Sequence, residues 1–264
     1  MERKNISISI VSGKGGVGKT NISLNLAYML YNLAYKVIIL DCDLGLANID
    51  ILLGITPKKN LKDIIQSDVD PEELIVNIER QDLDLIPAAS GIPELLEYER
   101  DVYFLLVQKL NNVLKKYDFI ILDLGAGISE GVTSFAASTS LKIILITPEP
   151  TSLTDSYAVI KILKTKYNQS NFLVVVNMVE GESQARQTFE RLNVACKRFL
   201  GVELGYLGYI RENKDFAEAV SKQIPLAKLK PQSEGCKDLM AIAKNLVKVV
   251  DQLPSLKKGL DLID

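Results

Sequence analysis

The sequence predicts a doubly wound α/β fold, a mostly parallel sheet with helices on both faces. Two observations carry this. Short β-branched apolar runs alternate with helix-length segments, the order that builds parallel sheets. The runs are also continuously apolar, which suits strands covered on both faces. With 264 residues, 47% of them hydrophobic and 24% charged, the chain has ordinary globular composition and enough length to bury a large core. No repeat, low-complexity stretch or long linker divides it. The expectation is one domain over residues 1–264 with a short tail at 254–264.

The first strand, 6–11, leads into a glycine-rich turn and a helix over 20–33. A second strand at 37–40 is followed by an irregular stretch, Asp41 to Asp82, where Gly45, Gly54, Pro57, Asp68 and Pro71 surround short helical pieces such as 61–66. Ligands in open α/β sheets bind beyond the carboxyl ends of strands, so this insertion is expected beside such a site. Strands follow at 83–86, 119–122, 143–146, 172–176 and, more weakly, 204–210. The intervening helices are expected at 101–116, 129–137, 152–166 and 183–199. Thr151 or Ser152 can cap the helix at 152–166, with Asp155 favourable near its amino end. Residues 238–250 are apolar around much of a helical circumference and read as core.

Composition removes whole classes of function. The chain has no histidine, which excludes a Ser-His-Asp triad, a Cys-His pair and imidazole-bound metals. Cys42, Cys196 and Cys236 are odd in number and far apart, so neither a disulfide framework nor a cluster site is expected, and reduced thiols fit a cytoplasmic protein. The charged amino terminus runs straight into a strand, unlike a signal peptide, and no apolar run reaches the ~18 residues of a membrane span. Lys and Arg total 31 against 33 Asp and Glu, a net charge of −2 that argues against broad nucleic-acid binding.

The strongest signal is Gly13-Lys14-Gly15-Gly16-Val17-Gly18-Lys19-Thr20, continuing to Asn21. It fits G-x-x-x-x-G-K-S/T between a strand and a helix, the context a phosphate-binding loop needs. Its glycines let backbone N–H groups wrap around phosphates, and the helix amino terminus adds a favourable dipole. Lys19 is expected at the β- and γ-phosphates and the Thr20 hydroxyl on Mg²⁺. Phe119–Asp123 is an apolar strand ending in a carboxylate, so Asp123 is expected to hold Mg²⁺ through water. Gly127, just beyond it, can bring a backbone N–H to the γ-phosphate. Asp41 and Asp43 close the second strand and point the same way by alternation, so both can face the phosphates. Asn177 ends the 172–176 strand, where its amide can donate to and accept from an adenine edge. Met178-Val179-Glu180 lacks the N-K-x-D pattern that reads guanine, which favours ATP.

With Lys14 included, the loop resembles the deviant Walker A motif of the MinD/ParA ATPases. That resemblance implies ATP and ADP as ligands with Mg²⁺, an ATP-bound homodimer, and slow hydrolysis. It also implies that Lys14 reaches the partner subunit's nucleotide, as an arginine finger does, and that Asp43 orients the attacking water and contacts the metal shell. Lys14, Lys19 and Asp43 are thus the expected catalytic set. Asn177 matches the family's base-reading asparagine, whereas Arg211-Glu212-Asn213 lacks the family's second adenine motif. Narrower likeness lies in Asp41–Asp50 (DCDLGLANID), in Pro87–Gly91 (PAASG) and in Pro148–Ala158 (PEPTSLTDSYA), which resemble segments of the FlhG/FleN (YlxH) group of flagellar regulators. The likeness implies control of flagellar number or placement. The partners it implies are an FlhF-type GTPase, basal-body switch components or a flagellar transcription activator. Septum placement of the MinD type and DNA segregation of the ParA type are the alternatives. Five residues stand before the first strand, so stimulation of FlhF by an amino-terminal segment, which FlhG proteins often carry, is not expected. After Pro254, Leu256, Leu260 and Ile263 share a helical face beside Lys257 and Lys258. With Asp261 and Asp264 this makes a poor membrane binder by itself, and a peripheral position at the inner face of the cell membrane is left open. Glu149 and Asp155 have two competing readings, local helix capping or a dimer or partner surface.

Overall fold

The computed structural model describes residues 4–43, 48–66, 69–79, 82–88, 99–253 and 256–261. Eight strands among them form one sheet: β1 (Ile6–Val11), β2 (Val37–Cys42), β3 (Val76–Glu79), β4 (Leu83–Ile86), β5 (Phe119–Leu124), β6 (Leu141–Ile146), β7 (Phe172–Val179) and β8 (Gly205–Arg211). Their spatial order is β3-β4-β2-β5-β1-β6-β7-β8. All neighbours pair in parallel except β3, which runs antiparallel to β4 at one edge. The doubly wound reading is correct. The antiparallel edge strand was not anticipated: Val76–Glu79 alternates apolar and polar residues, but over only four positions inside the irregular stretch before β4.

The helices are α1 (Lys19–Asn32), α2 (Ile49–Leu53), α3 (Leu61–Gln66), α4 (Glu99–Leu114), α5 (Glu130–Ser138), α6 (Pro150–Tyr167), α7 (Glu182–Leu200), α8 (Lys214–Lys222), α9 (Leu226–Leu229) and α10 (Glu234–Gln252). Strand alternation divides the core. Val37 and Ile39 pack toward α1 and α10, with Leu24, Leu30, Leu239 and Ile242. Ile38 and Leu40 pack toward α4 to α7, with Leu110, Phe135, Leu163 and Phe189. A strand buried on both sides must be apolar at every position, which is why these runs are unbroken. The α8 helix was missed in the sequence, although Asn213 announces it: its Oδ1 accepts from Asp215 N at 2.8 Å, the N-cap pattern.

β1 lies at the point where the strand order reverses, β2 and β5 to one side and β6 to the other. Crevices at such a switch point open at the carboxyl ends of the strands. The tail departs from the helical reading. Gly259 bridges Ile6 and donates its N–H to Asn5 O at 2.8 Å, Asp261 N donates to Ser138 O at 3.1 Å, and Leu260 is buried. Pro254 and Ile263 of that reading lie outside the described residues. No described helix is long and apolar enough to cross a membrane.

Candidate functional site

The chain leaves β1 at Val11 and turns through residues 12–18 into α1. Gly16 (φ 77°) and Gly18 (φ 89°) adopt the left-handed backbone that glycine tolerates best, and Gly18 caps the helix. Gly13 is required for a different reason. A Cβ there would lie 2.2 Å from the backbone carbon of Asp155, so the loop rests directly on α6. Ser12 Oγ closes the turn by donating to Lys14 O at 2.9 Å.

Alternation along β2 and β5 places Asp41 and Asp123 side by side on the α1 face of the sheet, paired in register. Lys19, 7% exposed, brings its Nζ to 3.9 Å from Asp123 Oδ1. Ser23, one helical turn later, donates to the same oxygen at 2.7 Å. Ser23 was not singled out in the sequence, yet position i+4 from the loop lysine is the signal that places it on the same helix face. Asp41 does not reach the cleft. Its carboxylate accepts the N–H groups of Asp43, Asn48 and Ile49, each at 3.2 Å, and so braces the chain between β2 and α2. Residues 44–47 of the Asp41–Asp50 likeness and 89–91 of PAASG lie outside the described residues.

Burial pushes Asp41 up to about 7, the neighbouring Asp123 charge adding to the rise and the three backbone donors opposing it. Burial likewise raises Asp123, against the pull of Lys19, Ser23 and Thr20. Asp123 Oδ2 is buried and has no hydrogen-bond partner among the described residues. A desolvated carboxylate with an orphaned oxygen suits a cation. No cluster of three or more His, Cys, Asp or Glu among the described residues could hold one alone. That fits Mg²⁺, which takes one or two protein ligands and completes its shell with phosphate oxygens and water.

In front of these carboxylates opens a cleft of about 820 Å³. Lys14 to Asn21 and Asp43 line it, whereas Gly13, Asp123 and Gly127 are not part of the lining. Asp43 lies beside Gly125, 3.7 Å from where a Cβ would sit. The Gly127 N–H donates to Ser12 O at 3.0 Å, so here it braces the loop instead of facing the cleft. Lys14 forms an ion pair with Glu149, the residue that precedes Pro150 at the start of α6. Asn177 is buried at the end of β7, and its Nδ2 donates to Val17 O at 2.8 Å. It lies 2.8 Å from a Cβ built on Gly18. A second cavity, about 240 Å³, opens beside Asn177 and adjoins the first at Gly18 and Asn21.

A strand, a glycine loop, a helix with a buried lysine and a carboxylate on the next strand together define a P-loop nucleotide-binding protein. A family model described as "AAA domain" matches residues 5–174. The antiactivator FleN of Pseudomonas aeruginosa is 35% identical over 239 residues, covering 90% of this chain and 85% of that one. The flagellum site-determining protein YlxH of Helicobacter pylori is 38% identical over 243 residues, 91% and 81% of the two chains. Among solved structures, the septum site-determining protein MinD of Pyrococcus horikoshii complexed with Mg-ADP superposes with a TM-score of 0.76 at 26% identity, covering 92% of this chain and 96% of that one. The chain belongs to the MinD/ParA family of P-loop ATPases.

Proposed function

We propose that this chain is an ATP-driven, dimerising switch that regulates flagellar number or placement. The observation that carries the switch is the pair of lysines in one loop. Lys19 is buried beside Asp123, within reach of its own subunit's phosphates, whereas Lys14 is at the rim, held by Glu149. A lysine on the rim cannot duplicate Lys19 but can meet a nucleotide across an interface. The flagellar reading is supported by the two relatives, whose names speak of flagellar site determination and of antiactivation.

In this reading the loop N–H groups and Lys19 bind the triphosphate, Asn177 reads adenine, and Thr20, Asp43 and Asp123 hold Mg²⁺. When bound, Mg²⁺ neutralises charge between the β- and γ-phosphates. Asp43 orients the attacking water, and Lys14 from the second subunit stabilises the charge that develops on the γ-phosphoryl group. The Gly127 N–H must leave Ser12 to join the γ-phosphate, which would make its turn sensitive to ATP against ADP. Hydrolysis reopens the dimer. Partners that read it are an FlhF-type GTPase, a basal-body switch component or a flagellar transcription activator. The setting is the cytoplasm.

Light scattering on size-exclusion fractions tests the mechanism. Lys14→Ala should bind ATP as a monomer and neither dimerise nor hydrolyse, whereas Asp43→Ala should dimerise and accumulate as the ATP complex. Normal ATP-dependent dimers of Lys14→Ala would sink the trans-lysine reading. Capture with Asp43→Ala trapped on ATP tests the biological role. Recovery of flagellar components supports it, and recovery of a septum inhibitor transfers the chain to cell division.

A further inference from the structure

The cavity beside Gly18 has a far wall that none of these roles uses. It runs from Arg211, the last residue of β8, to Phe216 in the first turn of α8. Opposite it, β7 carries one residue too many: Val176 pairs with Tyr209 but Val179 pairs with Arg211. The extra length is taken up at Met178, whose φ of 57° is unusual for a side chain of that size. Bulges of this kind re-aim side chains next to sites, and here Asn177 is turned toward Gly18. Beyond the bulge, Glu212 N donates to Val179 O at 2.9 Å and closes the β7–β8 seam.

Helix α10 fastens this wall at two points. Asp238, 8% exposed, accepts from Arg211 three times: from the backbone N at 3.1 Å, from Nε at 3.0 Å and from Nη2 at 2.7 Å. Glu234, one turn earlier, takes Nη2 at 2.7 Å as well. A bidentate fork plus a backbone bond fixes the main chain where it leaves the sheet, not just the side chain. It also commits the guanidinium, so Arg211 is not spare charge for a phosphate. The second point is Gly235. A Cβ there would meet Phe216 Cε2 at 2.8 Å, so the glycine is what admits the ring to its place.

We propose that Asp238 is a positioning residue for nucleobase recognition: with Gly235 it holds the Arg211–Phe216 wall against which the base of the bound purine nucleotide packs. This rests on the reading that the cavity takes the base. A cavity of about 240 Å³ lies below the ~300 Å³ at which pockets for whole ligands begin, which suits a base whose phosphates occupy the adjoining cleft.

The test compares Mg-ATP with Mg-bound inorganic triphosphate by calorimetry. Loss of wall geometry weakens only the ligand that carries a base, whereas general unfolding weakens both. Asp238→Ala should weaken ATP about tenfold, a difference of ~1.4 kcal/mol, and leave triphosphate within about twofold. A folded Asp238→Ala that binds ATP like the parent, or that loses both ligands equally, overturns the proposal. Should Asp238→Ala not fold, Arg211→Met keeps the carboxylate and the backbone bond. A smaller loss confined to ATP supports the proposal, and no loss or equal losses refute it. Asn177→Ala in the same series separates the two ideas. If it weakens ATP and triphosphate equally, the base reading itself falls. If it is selective for ATP while the Asp238 and Arg211 variants are not, only the positioning role falls.

Discussion

Lys19 concentrates the chemistry of the site because it is a cation held almost out of water. It pairs with Asp123 at 3.9 Å, a carboxylate that burial already strains toward its protonated form. Exchanging Lys19 for Ala removes the charge that the phosphates would meet and leaves Asp123 desolvated without its cation. Lys19→Ala should therefore give no ATP heat at ligand concentrations up to about 1 mM, where a Kd of that size corresponds to ~4 kcal/mol of binding. Unaltered affinity would mean that the triphosphate binds elsewhere. Lys14 is a contrasting case. Its ion pair with Glu149 joins two half-exposed side chains, and pairs of that kind contribute at most about 1 kcal/mol. The contact is weak enough for a second subunit to replace. It also supplies the tertiary partner for Glu149 that local helix capping does not: Glu149 makes no side-chain cap bond to α6.

At the scale of elements, the phosphate loop works because α6 supports it from below. Gly13 lets the loop touch the α6 backbone at Asp155, and Ser152 Oγ accepts Thr147 N at 3.0 Å to fix how that helix leaves β6. Gly13→Ala should force the loop off the helix, at a cost of about 1–3 kcal/mol for overpacking, and should weaken ATP alongside. Thermal unfolding together with an ATP titration checks this. A variant of parental stability and affinity would show that α6 yields freely. The elements legible in the sequence were those with a local signature. The loop was one, since its glycines act through their own backbone and its lysine stands at a fixed place beside them. The long buried strands were another, since burial on both faces demands unbroken apolar runs. Asp123 was legible from the apolar strand that it follows, whereas the real use of Asp41 was not. Its spacing from Asp43 implied a shared direction, but the strand ends at Cys42 and the carboxylate turns back to hold three N–H groups.

Two properties belong to the whole molecule. The first is the tail, which docks at the amino-terminal end of the central strand β1, next to Ile6 and Ser138. Leu260→Ala should cost about 2–4 kcal/mol in urea denaturation and leave flotation with anionic vesicles unchanged. Lower vesicle binding at unaltered stability would restore the amphipathic-helix reading. The second is pH dependence. Lys142 is buried in β6, and burial, with Lys257 nearby, pulls its amine down to about 7. Its folded pKa is below the unfolded value, so above pH 7 the unfolded chain binds the extra proton and stability rises with pH. Asp41, raised to about 7, does the opposite: between about pH 4 and 7 the folded chain holds the extra proton, and stability falls as pH rises. Without nucleotide or metal, the two contributions place a stability minimum near neutral pH. Each has a limiting slope of ~1.4 kcal/mol per pH unit. In EDTA, Lys142→Met should abolish the rise between pH 7 and 9 and keep the fall below 7. A parental rise in that variant would assign it to other groups.

The sequence by itself determined the succession of the parallel strands, the phosphate loop, the carboxylate near the end of β5 and the absence of histidine. Each is a property of residues close together in the chain: backbone freedom at glycine, apolar continuity in a strand, a carboxylate at a strand end. Tertiary structure decided the rest. It set the β2-β5-β1-β6 order that puts Asp41 against Asp123, the meeting of Lys14 with Glu149 across 135 positions, the clamp of Asp238 on Arg211 and the docking of Leu260 into the core. These are contacts between segments far apart in the chain. Their geometry follows from how helices and strands pack, and residue spacing carries no record of it.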